Sequence, residues 1–570
     1  TSAVVAGATD RLGSRDRKAL RAQLELPDVL GAHLSFGYET SDSESGGYAF
    51  EFTKHVRQGA RDFLREYDPN ADFKPGNFTG SQETPSIFRR EIDRFIAHAS
   101  YDLGGWGLHA LADRSQLDVT DRFDGDRTPA PFSVARTADE DPQTTFEIRV
   151  DSPSLEGFFG WNLLSAFAPQ GTAFTAGIFY QQRRIDDSEF FIAIDPLVIA
   201  AGMAARNDGV PVPRPPDAED ETTTMFWEQK SNAVAGFSQI EWRFVDRLAL
   251  TYGMRLSHEA QSAAWERVLS PNAAVLRAGN FENFTAEEDR SELAFTPKVS
   301  VVYDLTDNIN VFANWANGFR AGGFNEFASN AEGRRDFDSE TGTAWEVGTK
   351  AVILDGLARF DLGLYRQDVE DYQQLVESRG AVLTSIIVEN AAEARSQGVE
   401  IDYSAFPASW LTVRGALALA HTEYLEFRNG PCEPDRPNTD GDDDPSCDLG
   451  GKPLPFAPRW THTLTPSVQF PLTGLPGIDG AIGGITIEYQ DVHFVSPAID
   501  FRERQRPFFR LNGHIGIQSN ERGWSLRLVG ENLTDEVITV FTNTSTVGPG
   551  NLVQATRAPR LLFAKFRWAF

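Results

Sequence analysis

The chain holds 570 residues, and 53 Lys+Arg against 82 Asp+Glu leave a net charge of −29. No global basic field exists to hold a phosphate backbone, which excludes nucleic acid as a partner. Mean hydropathy is −0.34, and the longest apolar run, Leu197 to Ala205, is about half of the roughly 18 residues a spanning helix needs. A helical membrane protein is excluded, whereas a transmembrane β-barrel is not, because its strands alternate apolar and polar residues and average to the hydropathy of a soluble chain.

Thr1 is not followed by a basic and then apolar leader, so the start reads as a cut end opening into a strand-like stretch. In chain order, turn formers then cluster at Pro27–Gly31, Asp102–Gly105, Phe244–Arg247, Asp304–Asn308, Leu354–Gly356, Phe406–Ser409 and Ser519–Gly523. Long polar stretches alternate with these turns at Asp186–Glu228, Ser262–Ser291, Asn325–Glu340 and Arg428–Pro458. Between them the chain has period two. Phe360, Leu362 and Leu364 oppose Arg359, Asp361 and Gly363; Leu411, Val413, Leu417 and Leu419 oppose Thr412 and Arg414; Trp524, Leu526 and Leu528 oppose Ser525 and Arg527. In the last strand Leu562, Ala564, Phe566, Trp568 and Phe570 make a wholly apolar face, with Lys565 and Arg567 on the other.

Short turns on one side and long loops on the other are how an outer-membrane barrel is built. Counting strands on either side of the turns gives about 20. The rival is a secreted propeller, which should repeat a blade motif every 40 to 50 residues or so, and no such repeat is present. Apolar faces ending in Trp410, Trp460, Trp524, Trp568 and Phe570 fit interfacial aromatic girdles.

The segment Gly318-Phe319-Arg320-Ala321-Gly322-Gly323-Phe324-Asn325, with the strand Asn308–Asn317 before it, resembles a hallmark of the TonB-dependent outer-membrane receptors. Further resemblances follow in the family's order: Phe146–Pro153, Tyr252–Leu256, Phe295–Ser300, Trp345–Lys350, Gln397–Asp402, Leu454–Trp460, Gly530–Glu536 and the terminal strand ending at Phe570. The resemblance implies a monomeric all-β transmembrane antiparallel barrel of about 22 strands in the Gram-negative cell outer membrane, spanning residues 1–570 as one domain. It implies TonB-dependent uptake of a scarce large solute, such as an iron-siderophore or a cobalamin. Implied partners are the TonB complex acting through a plug, an extracellular small-molecule ligand, outer-membrane lipid and lipopolysaccharide, and the barrel-assembly machinery that reads Trp568 and Phe570. The alternative is a passive pore or an adhesin-like barrel. The family's N-terminal plug and TonB-binding segment have no counterpart here, since Arg17–Tyr38 already resembles the second and third barrel strands; a plugless chain is expected.

The glycines of Gly318, Gly322 and Gly323 call for a kink or a close backbone approach near the outer rim. Arg320 and Asn325 are then expected at the extracellular mouth, and Trp227, Arg320, Phe324 and Asn325 are the candidate substrate contacts, as flat faces and donors for carboxylates. Asn532–Asp535 is expected to fix a bend where a strand leaves the membrane, and Glu346, Lys350, Glu400 and Asp402 to face a wet lumen.

Cys432 and Cys447 flank an acidic stretch of the 428–458 loop and are expected to pair, which would contribute roughly 3 kcal/mol by closing a loop of about 15 residues. Asp440, Asp442 and Asp444 alternate around Gly441 as calcium ligands do, but Gly451 stands where an EF-hand needs its closing Glu. A solvated loop tip is the first expectation there and calcium the second; no other cofactor is expected. No HExxH, GxSxG or phosphate-cradling loop occurs, so no enzymatic activity is expected.

Overall fold

The computed structural model describes residues 15–46, 50–53, 55–76, 84, 86–153, 172–196, 198–199, 220–278, 281–327, 335–379, 384–428, 430–431, 446–499, 502–544 and 552–568. Among the described residues, nineteen strands form one antiparallel sheet. They are β1 (Arg15–Val29), β2 (Ala32–Ser45), β3 (Ile87–Leu103), β4 (Trp106–Asp124), β5 (Ser133–Asp151), β6 (Thr172–Ile194), β7 (Glu221–Val245), β8 (Leu248–Leu269), β9 (Phe284–Thr306) and β10 (Ile309–Arg320). Then come β11 (Glu340–Ile353), β12 (Ala358–Arg379), β13 (Thr384–Ala408), β14 (Leu411–Glu426), β15 (Trp460–Pro471), β16 (Gly480–Gln490), β17 (Phe508–Ser519), β18 (Trp524–Glu531) and β19 (Leu561–Trp568). Each strand pairs with the next in the chain. No helix among the described residues is long and apolar enough to cross a membrane.

Tight turns sit at one rim. Gly104 and Gly105, between β3 and β4, have φ of 62° and 92°, the doubly positive pattern that matches the twist of a two-residue hairpin. The other rim carries the long connections. Two of them are shorter than the sequence suggests: β6 runs on to Ile194 and β7 starts at Glu221, while β8 reaches Leu269 and β9 starts at Phe284. The strands outlast the alternation because their upper parts rise beyond the lipid band, where no face need be apolar.

The wall obeys period two. Directly opposed residues share a face, so Val347 and its partner Leu364 point outward together, both about half exposed, while the neighbouring pair Glu346 and Tyr365 points inward. Glu346, Lys350, Glu400 and Asp402 line the lumen, as expected. Inward aromatics lie on glycines of the adjacent strand: a Cβ at Gly415 would overlap the Tyr403 ring, and one at Gly348 would overlap Phe312. Tyr403 also lies 2.9 Å from His462 Nε2 through its hydroxyl.

Above the long-loop rim the chain builds a cap with its own core. Helix α1 (Gln58–Tyr67) sets Phe63 and Leu64 among Phe52, Phe132, Ile194, Leu269, Leu276 and Val553, gathering five connections into one apolar cluster. Helix α2 (Ala274–Ala278) starts at the buried Glu221 carboxylate, which accepts N–H bonds from Ala274, Val275 and Leu276 at 2.9–3.0 Å. Those are the orphan donors of a first helical turn, held by an anion where the dipole favours one. A small sheet joins Phe50–Phe52, which follows β2, to Leu552–Thr556, which precedes β19. Gln554 Nε2 donates to Glu51 Oε1 at 3.0 Å within it. This clasp brings the two ends of the strand ladder round to each other, as closure into a barrel requires.

Candidate functional site

The long-loop rim surrounds a vestibule, and the segment after β10 lines it. Beyond Arg320 the chain turns inward and lies on the inner face of β8 and β9. Gln261 Nε2 donates to Gly322 O at 3.0 Å, Trp265 Nε1 to Asn325 O at 3.1 Å, and Gly322 N–H to Glu292 Oε1 at 3.0 Å. Arg290 donates to the carbonyls of Gly323 and Phe337. A Cβ at Gly322 would collide with the Arg290 guanidinium, and one at Gly323 would sit 2.7 Å from the Phe337 ring. The close approach expected from this glycine pair is therefore present. Gly318 instead sits in regular register opposite Gly342.

The four candidate contact residues separate here. Arg320 is exposed at the end of β10. Trp227 is 2% exposed and Phe324 8%; both stack edge-on to Trp265, at 4.9 and 5.6 Å between ring centroids. They close a second apolar cluster with Met225, Ala263 and Phe284. Neither presents the open flat face expected of it, because aromatic surface in this segment is spent on packing the segment to the wall. Asn325, 4% exposed, bonds across the vestibule to strand β13: its Nδ2 donates to Val388 O at 3.1 Å and its Oδ1 accepts Val388 N–H at 2.7 Å.

Carboxylates meet the same segment from the facing strands. Asp139 accepts a short hydrogen bond from the Ser188 hydroxyl, and burial raises its pKa. Desolvation, reinforced by the charge of Asp139, pushes Glu326 up to about 7. Asp121 is pushed up to about 6 by burial, against the pull of Arg90. Asp141 stays paired with Arg183 in a two-pronged bridge, with the shortest contact at 2.7 Å. Among the described residues no three His, Cys, Asp or Glu side chains are arranged to hold a metal ion.

Beside the clasp, with Thr53 and Gln554 in its lining, is a cavity of about 730 Å³. The short pair of His493–Phe494 with Arg504–Gln505 sets the segment Arg502-Glu503-Arg504-Gln505-Arg506 along its wall, where Glu536 also lies. Glu503 and Gln505 are buried at 3% and 6%, whereas Arg504 and Arg506 are exposed. The run is pinned by Val495 N–H donating to Glu503 O at 2.9 Å and Thr539 N–H donating to Gln505 Oε1 at 2.7 Å. None of these arginines was singled out from the sequence; the signal was the strict alternation of Arg with Glu and Gln.

Asn532 and Asp535 take positive φ of 49° and 57° just past β18. Asn532 Nδ2 donates to Glu536 O at 2.9 Å and Asn532 Oδ1 accepts Glu536 N–H at 3.0 Å, the bend expected there. Trp568 projects outward at the short-turn rim, 64% exposed, while Phe570 lies outside the described residues. So do Cys432, Asp440, Asp442 and Asp444. Cys447 is disulfide-bonded, and the chain has one other cysteine.

The family described as "TonB dependent receptor-like, beta-barrel" matches residues 33–533. The metal-pseudopaline receptor CntO of Pseudomonas aeruginosa is 25% identical over 217 residues, 38% of this chain and 27% of that protein. The catecholate siderophore receptor Fiu of Escherichia coli K12 is 34% identical over 80 residues, 13% of this chain and 10% of the relative. The chain thus aligns with about a quarter or less of the length of these curated relatives. Among solved structures, the ferric yersiniabactin uptake receptor FyuA of Yersinia pestis superposes with a TM-score of 0.73 at 15% identity, covering 100% of this chain and 73% of that one. The siderophore receptor PiuA of Acinetobacter baumannii gives 0.67 at 13%, covering 97% and 74%. These two establish the fold.

Proposed function

Because the chain belongs to the TonB-dependent receptor-like β-barrel family, we propose that it takes up a scarce large solute across the outer membrane, driven by TonB. As a member of that family it is an outer-membrane barrel and a transport protein, with the long-loop rim outside the cell. The observation that carries the uptake reading is the family match over residues 33–533, on a barrel whose mouth is gathered into a packed cap. A cap with a core of its own favours capture over free diffusion.

In this reading the loops capture an iron-siderophore, a cobalamin or a comparable complex, and Arg320 contributes a donor at the mouth. Trp227, Phe324 and Asn325 shape the vestibule wall behind it. TonB acts through a plug inside the lumen, against the polar wall that includes Glu346 and Glu400. Lipid and lipopolysaccharide meet the outward face, and the assembly machinery reads the last strand, with Trp568 and Phe570. Cys432 pairs with Cys447, bracing the 428–458 loop that carries Asp440, Asp442 and Asp444, where calcium is the ion to test. The deciding experiment is uptake of labelled solutes by cells carrying the gene, with and without TonB. Loss of uptake without TonB is expected; uptake unchanged by that deletion, together with an open-pore conductance in planar bilayers, overturns the reading.

A further inference from the structure

We infer that the connection between β10 and β11 is a lid folded over the extracellular mouth, hinged on β8, β9 and β13 and latched to β5 and β6 by one proton shared among Glu326, Ser188 and Asp139. The mouth is then open more often at neutral and alkaline pH than in acid. The inference concerns access to the vestibule and holds whatever drives uptake. Three observations carry it.

The first is the reach of the connection. Gly323 and Phe324 pair with Phe337 and Asp336, and Asn325 N–H donates to Arg335 O at 2.6 Å, so the chain leaves β10 and returns towards β11 as a hairpin. Neutral amides fasten its root. Gln261 of β8 donates to Gly322 O, Gln373 of β12 donates to the carbonyls of Ala321 and Asp338 at 2.9 and 3.0 Å, and Asn325 and Asn390 tie it to β13. The charged groups at the root are matched in pairs, Arg290 with Glu292 and Arg335 with Glu288. Its far side touches a different part of the wall. The Phe327 ring meets Phe190 of β6 edge-on, with centroids 4.8 Å apart, and Glu326 meets Ser188 of β6 and Asp139 of β5. One connection thus joins strands that lie well apart around the rim.

The second is a proton count at that far side. Ser188, 1% exposed, donates its hydroxyl hydrogen to Asp139 Oδ1, and the Glu326 carboxyl lies within hydrogen-bonding reach of the same hydroxyl. A hydroxyl has one hydrogen, so Glu326 bonds to that oxygen only by donating a proton of its own. Ionised, it would face the Asp139 charge and a lone pair of Ser188 instead. The third is the set of charges around the latch. They are Asp121 of β4, Asp141 of β5, Arg90 of β3 and Arg183 of β6, with Arg90 3.9 Å from Asp121 and Arg183 2.7 Å from Asp141. Among the described residues no Lys, Arg or His pairs with Glu326 or Asp139, so no cation takes the proton's place. Burial, reinforced by the Asp139 charge, pushes the Glu326 pKa up to about 7. The latch therefore holds below that pH and is lost as pH rises through it. Amide bonds at the root persist over the same range, so the lid swings from its root.

The test is chemical access beneath the lid, in the purified full chain in zwitterionic detergent. Ala263, 5% exposed, packs in the cluster that Phe324 closes, and Ala263→Cys places a thiol there; among the described residues no free cysteine competes. Its labelling by a polyethylene-glycol maleimide is timed at pH 6 and pH 8. Each rate is divided by that of Ala263→Cys with Glu326→Gln, which cancels the thiol's own pH dependence. The neutral amide keeps the latch at both pH values, so the ratio should rise about 10-fold from pH 6 to pH 8. Asp139→Asn should move the midpoint of that rise to lower pH, since removing the neighbouring charge eases ionisation, and Ser188→Ala should speed labelling at pH 6. Heat-modifiable gel mobility confirms folding; where the cysteine variant loses it, amide exchange of residues 321–325, with and without Glu326→Gln, gives the same ratio. A ratio equal at both pH values, a midpoint unmoved by Asp139→Asn, or labelling unchanged by Ser188→Ala overturns the inference. No TonB and no solute enter the measurement, so a failed latch leaves the uptake reading standing, and TonB-independent uptake leaves the latch standing.

Discussion

Strand β8 passes through two environments and obeys opposite rules in them. In its lower part Met254 and Leu256 point outward and stand about half exposed, while Arg255 points inward over the Phe179 and Phe237 rings at 5.0 and 6.0 Å. Ten residues or so further up, Ala263 and Trp265 are buried on the inner side and Glu266 is exposed on the outer. The backbone geometry is continuous, so the solvent is what changed. Lipid rewards apolar side chains outside and leaves the lumen wet; above the membrane water surrounds the barrel, and the apolar residues turn inward to build a cap.

Four experiments break or sharpen that contrast, in falling order of effect. Trp265→Ala removes the ring that joins Trp227 to Phe324 and a donor to Asn325 O. It should cost the cap about 3–5 kcal/mol and expose the 321–327 segment to hydrogen exchange and protease, while the thermal transition of the wall stays put. Unfolding of wall and cap together would show that the two are one cooperative unit. Val347→Arg, on the lipid face, should cost about 2–4 kcal/mol and reduce the heat-resistant folded band on gels. Glu346→Arg, one residue away on the lumenal face, should leave most of that band. Similar damage from both would mean that the lumen does not stay wet.

Gly415→Val places a side chain where Tyr403 lies and should destabilise by about 1–3 kcal/mol, with Tyr403→Ala restoring the refolding yield. Failure of that rescue would locate the strain elsewhere. The smallest effect belongs to the cap alone. Glu326 has its folded pKa raised from 4.5 to about 7 by desolvation, so the folded state holds its proton more tightly than the unfolded one does. Its segment should therefore be most secure below the unfolded pKa and loosen as pH rises through about 7. Glu326→Gln should abolish that dependence in exchange protection measured between acidic and neutral pH; a variant as pH-sensitive as the parent would assign the effect to Asp121 or Asp139.

How far the sequence could be read follows the same boundary. Where lipid enforces alternation, parity identified the wall faces: Glu346, Lys350, Glu400 and Asp402 lie on the lumen side and the Leu364 row outside. Above the lipid the alternation lapses, and the tops of β6 to β9 read as loops although they are paired strands. The glycine pair Gly322–Gly323 announced a close approach, but not what approached. Trp227 and Phe324 showed aromatic surface without showing that Trp265 covers it, since two of those three come from strands and one from a connection. The arginines at 502–506 were readable as an alternation with Glu503 and Gln505, but their place beside a cavity was not, because its other lining residues, Thr53, Thr542 and Gln554, are far away in the chain.

The sequence by itself determined that this is an antiparallel barrel with short turns on one rim and long loops on the other, because lipid imposes a period-two pattern that survives in the linear order of residues. Tertiary structure alone decided the cap, the clasp between residues 50–53 and 552–556, and the arginine-lined cavity beside it. Each joins segments whose contact is fixed by how the ends of the ladder come round, and that closure has no local signature in any one of them.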